Sequence, residues 1–165
     1  MHTIDFIKFG LGLSKGWAEG LLRDMQDAPL TSPTPNGGNH PLWVLGHLTY
    51  SESFLFDESI QGKPNRCAEW GKLFGAQSTP VPEAGGYPPM PELFAKWKEI
   101  RAAAVAHLDS LTMDDLDRRS HAPEEYGPMF ATVGACYSAM IGHPQFHAGQ
   151  VSDARRAAGR PPLFM

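Results

Sequence analysis

The chain has 165 residues, 42% of them apolar and 19% charged, and a formal net charge of -4. This length and composition fit one packed core and a folded globular protein rather than a disordered one. The acidic balance, relieved only by the small knot of Arg155, Arg156 and Arg160, speaks against phosphate-backbone binding, so nucleic acid is not an expected partner.

In chain order, the first apolar period of 3.6 residues runs from Thr3 to Met25, with Ile4, Ile7, Leu11, Leu21, Leu22 and Met25 on one stripe. Asp5 and Lys8 interrupt the hydrophobicity of this N-terminal stretch, which lacks the basic start of a secretory leader. The fragment GLSKG matches the G-x-S-x-G pattern around Ser14. That pattern works only between a strand and a helix of a large α/β sheet, so it is read as coincidence here. The Pro- and Gly-rich TSPTPNGG follows and must be a loop.

A second helix is expected to start at Asn39, as cap, with Pro41 in its first turn. Trp43, Leu48, Tyr50, Phe54 and Leu55 carry it towards Gly62. A long Gly/Pro-rich connection from Lys63 to Pro89 holds Trp70, Phe74 and Tyr87, and is read as a passive crossover in preference to a lid. The third helix begins near Pro91, with Leu93, Trp97, Ile100, Ala104, Leu108 and Leu111 at heptad-like spacing. The connector MDDLDRRS leads past His121 and Pro123 to the fourth, from about Phe130 to Gly159.

No segment alternates as a strand would, and no apolar run approaches the roughly 20 residues of a membrane span. Cys67 and Cys136 form neither a disulfide framework nor a CxxC motif. The expectation is an all-α protein, a four-helix bundle with one long connection between helices two and three, built as a single domain over residues 1–165 and cytoplasmic.

Seven histidines are present, and two of them, His143 and His147, stand four apart in the last helical segment. On a helix, four residues advance about 6 Å and turn a side chain by only about 40°, so two such imidazoles can converge. They share the face of Cys136, Ala139, Met140, Val151 and Ala154, while His47 shares that of Trp43, Tyr50 and Phe54. Buried imidazoles need partners. One metal ion would serve all three and leave a coordination position open, since a closed structural site uses a fourth protein ligand. A separate carbonyl for each ring would satisfy them equally.

Pro144 should bend the last helix, because proline clashes with the carbonyl four residues back, that of Met140. HPQFH lacks the glutamate of HExxH, and no Glu-x-x-His occurs, against a zinc protease and a di-iron centre. His107 and Cys136 are read as core residues, and His2, His40 and His121 are assigned nothing.

The stretches NHPLWVLGHL and HPQFHAGQVSDARRAAGRPP resemble the DinB-like family of bacterial four-helix metalloproteins, which are distinct from the similarly named DNA polymerases. That family carries one ligand in a W-x-x-G-H-like context on its second helix and two in H-x-x-x-H-x-G-Q on its last. His47 matches the first position, His143 and His147 the other two, and Gly149-Gln150 the trailing pair. Arg155, Arg156 and Gly159 match the tail, while Pro144 departs from the commoner polar or aromatic residue.

The resemblance implies an up-down-down-up bundle with a divalent metal on His47, His143 and His147, zinc or nickel before manganese or iron. It further implies a homodimer, and thiol-dependent S-transferase or maleylpyruvate isomerase-type chemistry. A low-molecular-weight thiol would then be transferred to a small-molecule electrophile. Trp43, Tyr50, Trp70 or Tyr87 would line the electrophile pocket. The alternatives are a hydrolase using metal-activated water and a non-enzymatic metal-binding bundle. For the hydrolase, Glu52 and Asp57 are the nearby acids, with Glu52 turned off the His47 face. No organic cofactor is implied, and no catalytic residue is named.

Overall fold

The computed structural model describes residues 2–163. Helix α1 (Thr3–Arg23) buries Leu11, Ser14, Ala18, Leu21 and Leu22. It stops short of Met25, which is nonetheless fully buried in the turn that follows.

Helix α2 (Pro41–Ser53) has Pro41 in its first turn as expected, but its cap is His40 and not Asn39. The His40 Nδ1 lone pair accepts the Trp43 N–H at 3.1 Å, while its Nε2–H donates to the Val81 carbonyl at 2.9 Å. Asn39 instead donates its side-chain amide to Gln150 at 3.1 Å. Almost the whole circumference of α2 is buried, the signature of a central helix. It widens into a π-helical stretch over Phe54–Ile60 before Gly62, at φ 65°, turns the chain away.

The long connection is partly folded: a 3₁₀ turn at Ala68–Trp70 runs into the single turn α3 (Gly71–Phe74). Helix α4 (Met90–Leu108) follows, then the single turn α5 (Met113–Leu116), closed by a capping box between Thr112 and Asp115. Phe130 ends a run of 3₁₀ turns and does not open the last helix. Helix α6 (Val133–Ala157) starts after Thr132, whose hydroxyl accepts the Ala135 N–H at 3.1 Å.

Among the described residues the chain is all-helical, with isolated β-bridges at Thr34–Gly37 and Arg119–Thr132 and no strand. No described helix is long and apolar enough to cross a membrane. Helix α1 lies along α6, and α2 lies against both α4 and α6. Trp97, Tyr137, Phe56, Phe74 and Leu45 fill the space between them.

One buried ion pair pins all four long helices. Arg101 of α4 forms a forked pair with Glu52 of α2, and the second Glu52 oxygen also accepts the Trp97 indole N–H at 2.6 Å. The same guanidinium donates to the Leu11 carbonyl of α1 at 2.6 Å and the Met140 carbonyl of α6 at 3.2 Å. Met140 is the residue whose helical hydrogen bond Pro144 removes. Arg101 therefore supplies the missing donor, and α6 runs through the buried Pro144 without interruption.

Candidate metal centre

Three imidazoles converge where α2 meets α6. The Nε2 atom of His143 lies 3.1 Å from that of His47 and 3.0 Å from that of His147. One candidate ligand atom from each ring falls within 4.8 Å of the others. His47 and His147 are buried and His143 is half-buried.

Outer partners orient two of the rings. The Phe74 carbonyl accepts the His47 Nδ1–H at 2.7 Å, and the Gln150 Oε1 accepts the His147 Nδ1–H at 2.8 Å. Asn39 donates to that same Gln150 oxygen at 3.1 Å. With their protons on Nδ1, both rings present the Nε2 lone pair to the centre. A proton on His143 Nε2 could bridge one of its two short contacts but not both. A cation shared by the three nitrogens could satisfy them all, and the two short contacts match the roughly 2.9–3.4 Å that separates two imidazole ligands of one ion. The cluster could hold a metal ion.

The rings are built to stay neutral. Burial, and then the His147 and His47 rings, pull His143 down to about 3. Burial takes His147 down to about 4 and also lowers His47. Neutral imidazole is the ligating form.

The local sequence explains the support. Trp43 stacks on His47 with centroids 4.6 Å apart and planes 8° from parallel. Its indole N–H donates to the Leu73 carbonyl and the Ser78 hydroxyl, both at 3.1 Å. Gly46 lies directly under Phe74: a Cβ there would stand 2.1 Å from the Phe74 ring. Only glycine lets α3 approach closely enough for the Phe74 carbonyl to reach His47. The connection between α2 and α4 is thus neither passive nor a simple cover, because it orients a ring of the cluster.

On one side His47 and His143 open into a cleft of about 630 Å³. Its floor is the stripe of Tyr50, Ser51, Phe54 and Glu58 along α2 and the π-helical stretch, and Phe130 and Phe146 stand on its walls. Of the aromatic residues expected in such a pocket, only Tyr50 lines it. Trp43 backs the His47 ring, Trp70 is buried against Phe74, and Tyr87 stacks on Phe74 at 5.3 Å.

The acids named from sequence are both engaged elsewhere. Glu52 belongs to the Arg101 pair, and Asp57 accepts from Arg66 at 2.6 and 2.8 Å and from Ser53 at 2.7 Å. His107 donates through Nδ1 to the Tyr137 hydroxyl at 2.9 Å, the core role expected of it. Both cysteines are buried thiols that burial pushes up to about 11. Three residues of the site escaped the sequence reading. Glu58 is eleven positions after His47, three helical turns and hence the same face. Phe146 directly precedes His147, and Phe74 was placed in a loop.

A model of the DinB superfamily matches residues 18–151, a span that takes in all three histidines, Gly46 and Gln150. The chain belongs to the DinB superfamily. No curated protein and no solved structure matches it. Beyond the matched span the Arg-rich tail has a structural part: Arg155 is buried and donates to Asp24 at 2.8 Å, tying the end of α6 to the end of α1. Gly159, at φ 74°, takes the left-handed conformation beyond the helix end, and Arg156 makes an exposed pair with Asp153.

Proposed function

We propose that this DinB superfamily member is a metal-dependent enzyme that activates a low-molecular-weight thiol for transfer to an electrophile bound in the cleft. His47, His143 and His147 would hold one divalent ion through Nε2, zinc or nickel before manganese or iron. The single observation that carries this is the meeting of three imidazoles, two of them with their tautomer fixed by an outer partner, at the end of an open apolar cleft. The bound ion supplies a positive charge that lowers the pKa of a thiol to give the nucleophilic thiolate at neutral pH.

The protein's own groups do the rest. The Phe74 carbonyl and Gln150 hold two of the rings in register. Ser51, one turn after His47, offers a hydrogen bond at the reacting end. The Tyr50 phenol stays protonated, since burial and then Glu58 raise its pKa, and it can donate to the electrophile. The apolar walls keep water from competing with the thiol.

Water as the nucleophile is the less supported reading. Glu52 and Asp57 are tied up in ion pairs. Glu58 lies about 15 Å along the helix axis from His47, too far to take a proton there. A thiolate held by the ion needs no such base.

The reading also takes residues 1–165 as one domain, an up-down-down-up four-helix bundle, in a cytoplasmic homodimer. For the dimer there is a concrete surface. Phe6, Phe9, Leu13 and Trp17 follow one face of α1 at helical spacing, and Phe6 and Phe9 are 62% and 57% exposed. Monomers seldom leave so continuous an apolar stripe in water. Trp17→Glu should convert a dimer to monomer in light scattering; a monomeric parent chain would remove the dimer from the reading.

The main test is elemental mass spectrometry on untagged protein, followed by a conjugation assay of a haloaryl electrophile with bacterial thiols. Near-stoichiometric metal that is lost in His47→Ala, His143→Ala and His147→Ala, together with metal-dependent conjugation, is the expected result. No metal after reconstitution, or conjugation at the same rate in the alanine variants, would overturn the proposal.

A further inference from the structure

The cleft that leaves the histidines has two chemically different ends. At one end are the His47 and His143 rings. At the other is Glu58, half-buried and without an ion pair or hydrogen bond among the described residues. Between them the lining is apolar and aromatic apart from Ser51 and the Tyr50 hydroxyl, and no Lys or Arg lines the cleft among the described residues.

The cleft that Glu58 lines also carries a cluster of aromatic faces. Phe54 is one turn before Glu58 on the same stretch. Its centroid lies 5.4 Å from that of Tyr126 and 6.2 Å from that of Phe130, and Tyr126 and Phe130 are 5.3 Å apart. A carboxylate beside clustered aromatic rings is the chemistry that selects an ammonium group, through charge and through the ring quadrupoles. The same arrangement rejects an anion, which would meet one carboxylate, several electron-rich faces and no cation.

The rest of the cleft sets the remainder of the ligand. Phe146, 70% exposed, and Met129, 67% exposed, stand at the mouth and would be covered by an apolar body. The volume of about 630 Å³ is that of a site for a small organic molecule, not a peptide segment. From the helical rise, the two ends are about 15 Å apart along the axis of α2.

We propose that the cleft takes an elongated aryl or alkyl molecule bearing one amine, with its ammonium at Glu58 and its opposite end at the histidines. Phe54 and Tyr126 flank the ammonium, and Phe130 and Phe146 cover the body. The assignment of the reacting end rests on the metal-enzyme reading; the charge preference of the far end does not.

The experiment compares three probes of one shape: 2-naphthylmethylammonium, 2-naphthylmethanol and 2-naphthoate. Their affinities are measured by titration calorimetry on zinc-loaded protein and on the same protein after chelation. Chelation matters because a carboxylate could otherwise ligate the zinc. In the chelated protein the ammonium should bind about tenfold more tightly than the alcohol, and naphthoate the most weakly. Glu58→Gln should bring ammonium and alcohol to parity while leaving the alcohol's affinity unchanged, which doubles as the check on folding. Phe146→Ala should weaken all three by a similar factor.

Equal binding of ammonium and alcohol to the parent chain, or a preference that survives Glu58→Gln, would overturn the proposal. Failure of the metal reading would look different: no zinc taken up, with the ammonium preference intact.

Discussion

Two polar clusters sit between the same helices of this protein, and they are built on opposite principles. In the Glu52–Arg101 cluster, the carboxylate is matched by guanidinium and indole donors, and the remaining guanidinium N–H groups end on backbone carbonyls of α1 and α6. In the histidine cluster, the outer nitrogens of two rings are satisfied by Phe74 and Gln150, and the inner nitrogens face one another. The first is closed and holds the helices together. The second is half-finished, and it could hold a metal ion. Buried polar groups with every partner present are scaffold, whereas lone pairs aimed at a common point beside a cleft are a binding site.

Breaking the closed cluster should have the largest effect. Arg101→Ala strands the Glu52 carboxylate and the Met140 carbonyl that Pro144 leaves without a donor. A loss of about 3–5 kcal/mol in urea denaturation is expected, whether or not metal is present. Replacing Glu52 and Arg101 together with Leu and Met should recover much of it. A single variant as stable as the parent would mean that this cluster does not hold the helices together.

Gly46→Ala touches the boundary between the two clusters, because the new Cβ would overlap the Phe74 ring. Displacing α3 should cost about 1–3 kcal/mol of stability and also release the His47 Nδ1 partner. The variant should therefore lose metal affinity as well as stability; unchanged zinc binding would mean that the Phe74 carbonyl does not orient His47.

Gln150→Ala should separate the clusters cleanly. It removes the acceptor of His147 Nδ1–H and leaves the Arg101 contacts alone. Zinc affinity, read by competition with a chromophoric chelator, should fall about tenfold to a hundredfold with little change in the metal-free melting temperature.

The smallest effect expected is one of pH. The folded values of His143, about 3, and His147, about 4, lie below the ordinary 6.5, and burial is the main cause for both. Between 6.5 and those values the unfolded chain binds more protons than the folded one, so stability declines as pH falls from 7 towards 4. Metal-free protein followed by circular dichroism should show this decline, and His143→Ala should flatten it. A melting temperature independent of pH over that range would mean that the rings are not buried in neutral form.

The sequence reading reached some elements and missed others for identifiable reasons. Helices α1 and α4 are legible because their buried apolar residues recur at helical spacing. Helix α2 was legible from Pro41, but its cap was misplaced by one residue, because a histidine lone pair can do what asparagine usually does. The start of α6 was set early at Phe130, since the apolar run continues through 3₁₀ turns that precede the true cap, Thr132. Helix α6 continues through Pro144, and the donor that the Met140 carbonyl lacks within the helix comes from Arg101 on another helix, which no local pattern announces. Glu52 was placed correctly off the His47 face, yet nothing local could say that Arg101, on a different helix, would meet it.

By itself the sequence determined the all-helical class, through periodicity within single helices, and the three histidines and the superfamily, through the resemblance of two local stretches to a family pattern. Which nitrogen each ring presents, which acids remain unpaired and where the cleft opens were decided only by the tertiary structure. The physical reason is that these properties belong to contacts between segments far apart in the chain. Phe74 meets His47 across 27 positions, Asn39 meets Gln150 across 111, and Glu58 became distinctive only because Glu52 and Asp57 had found partners on other segments.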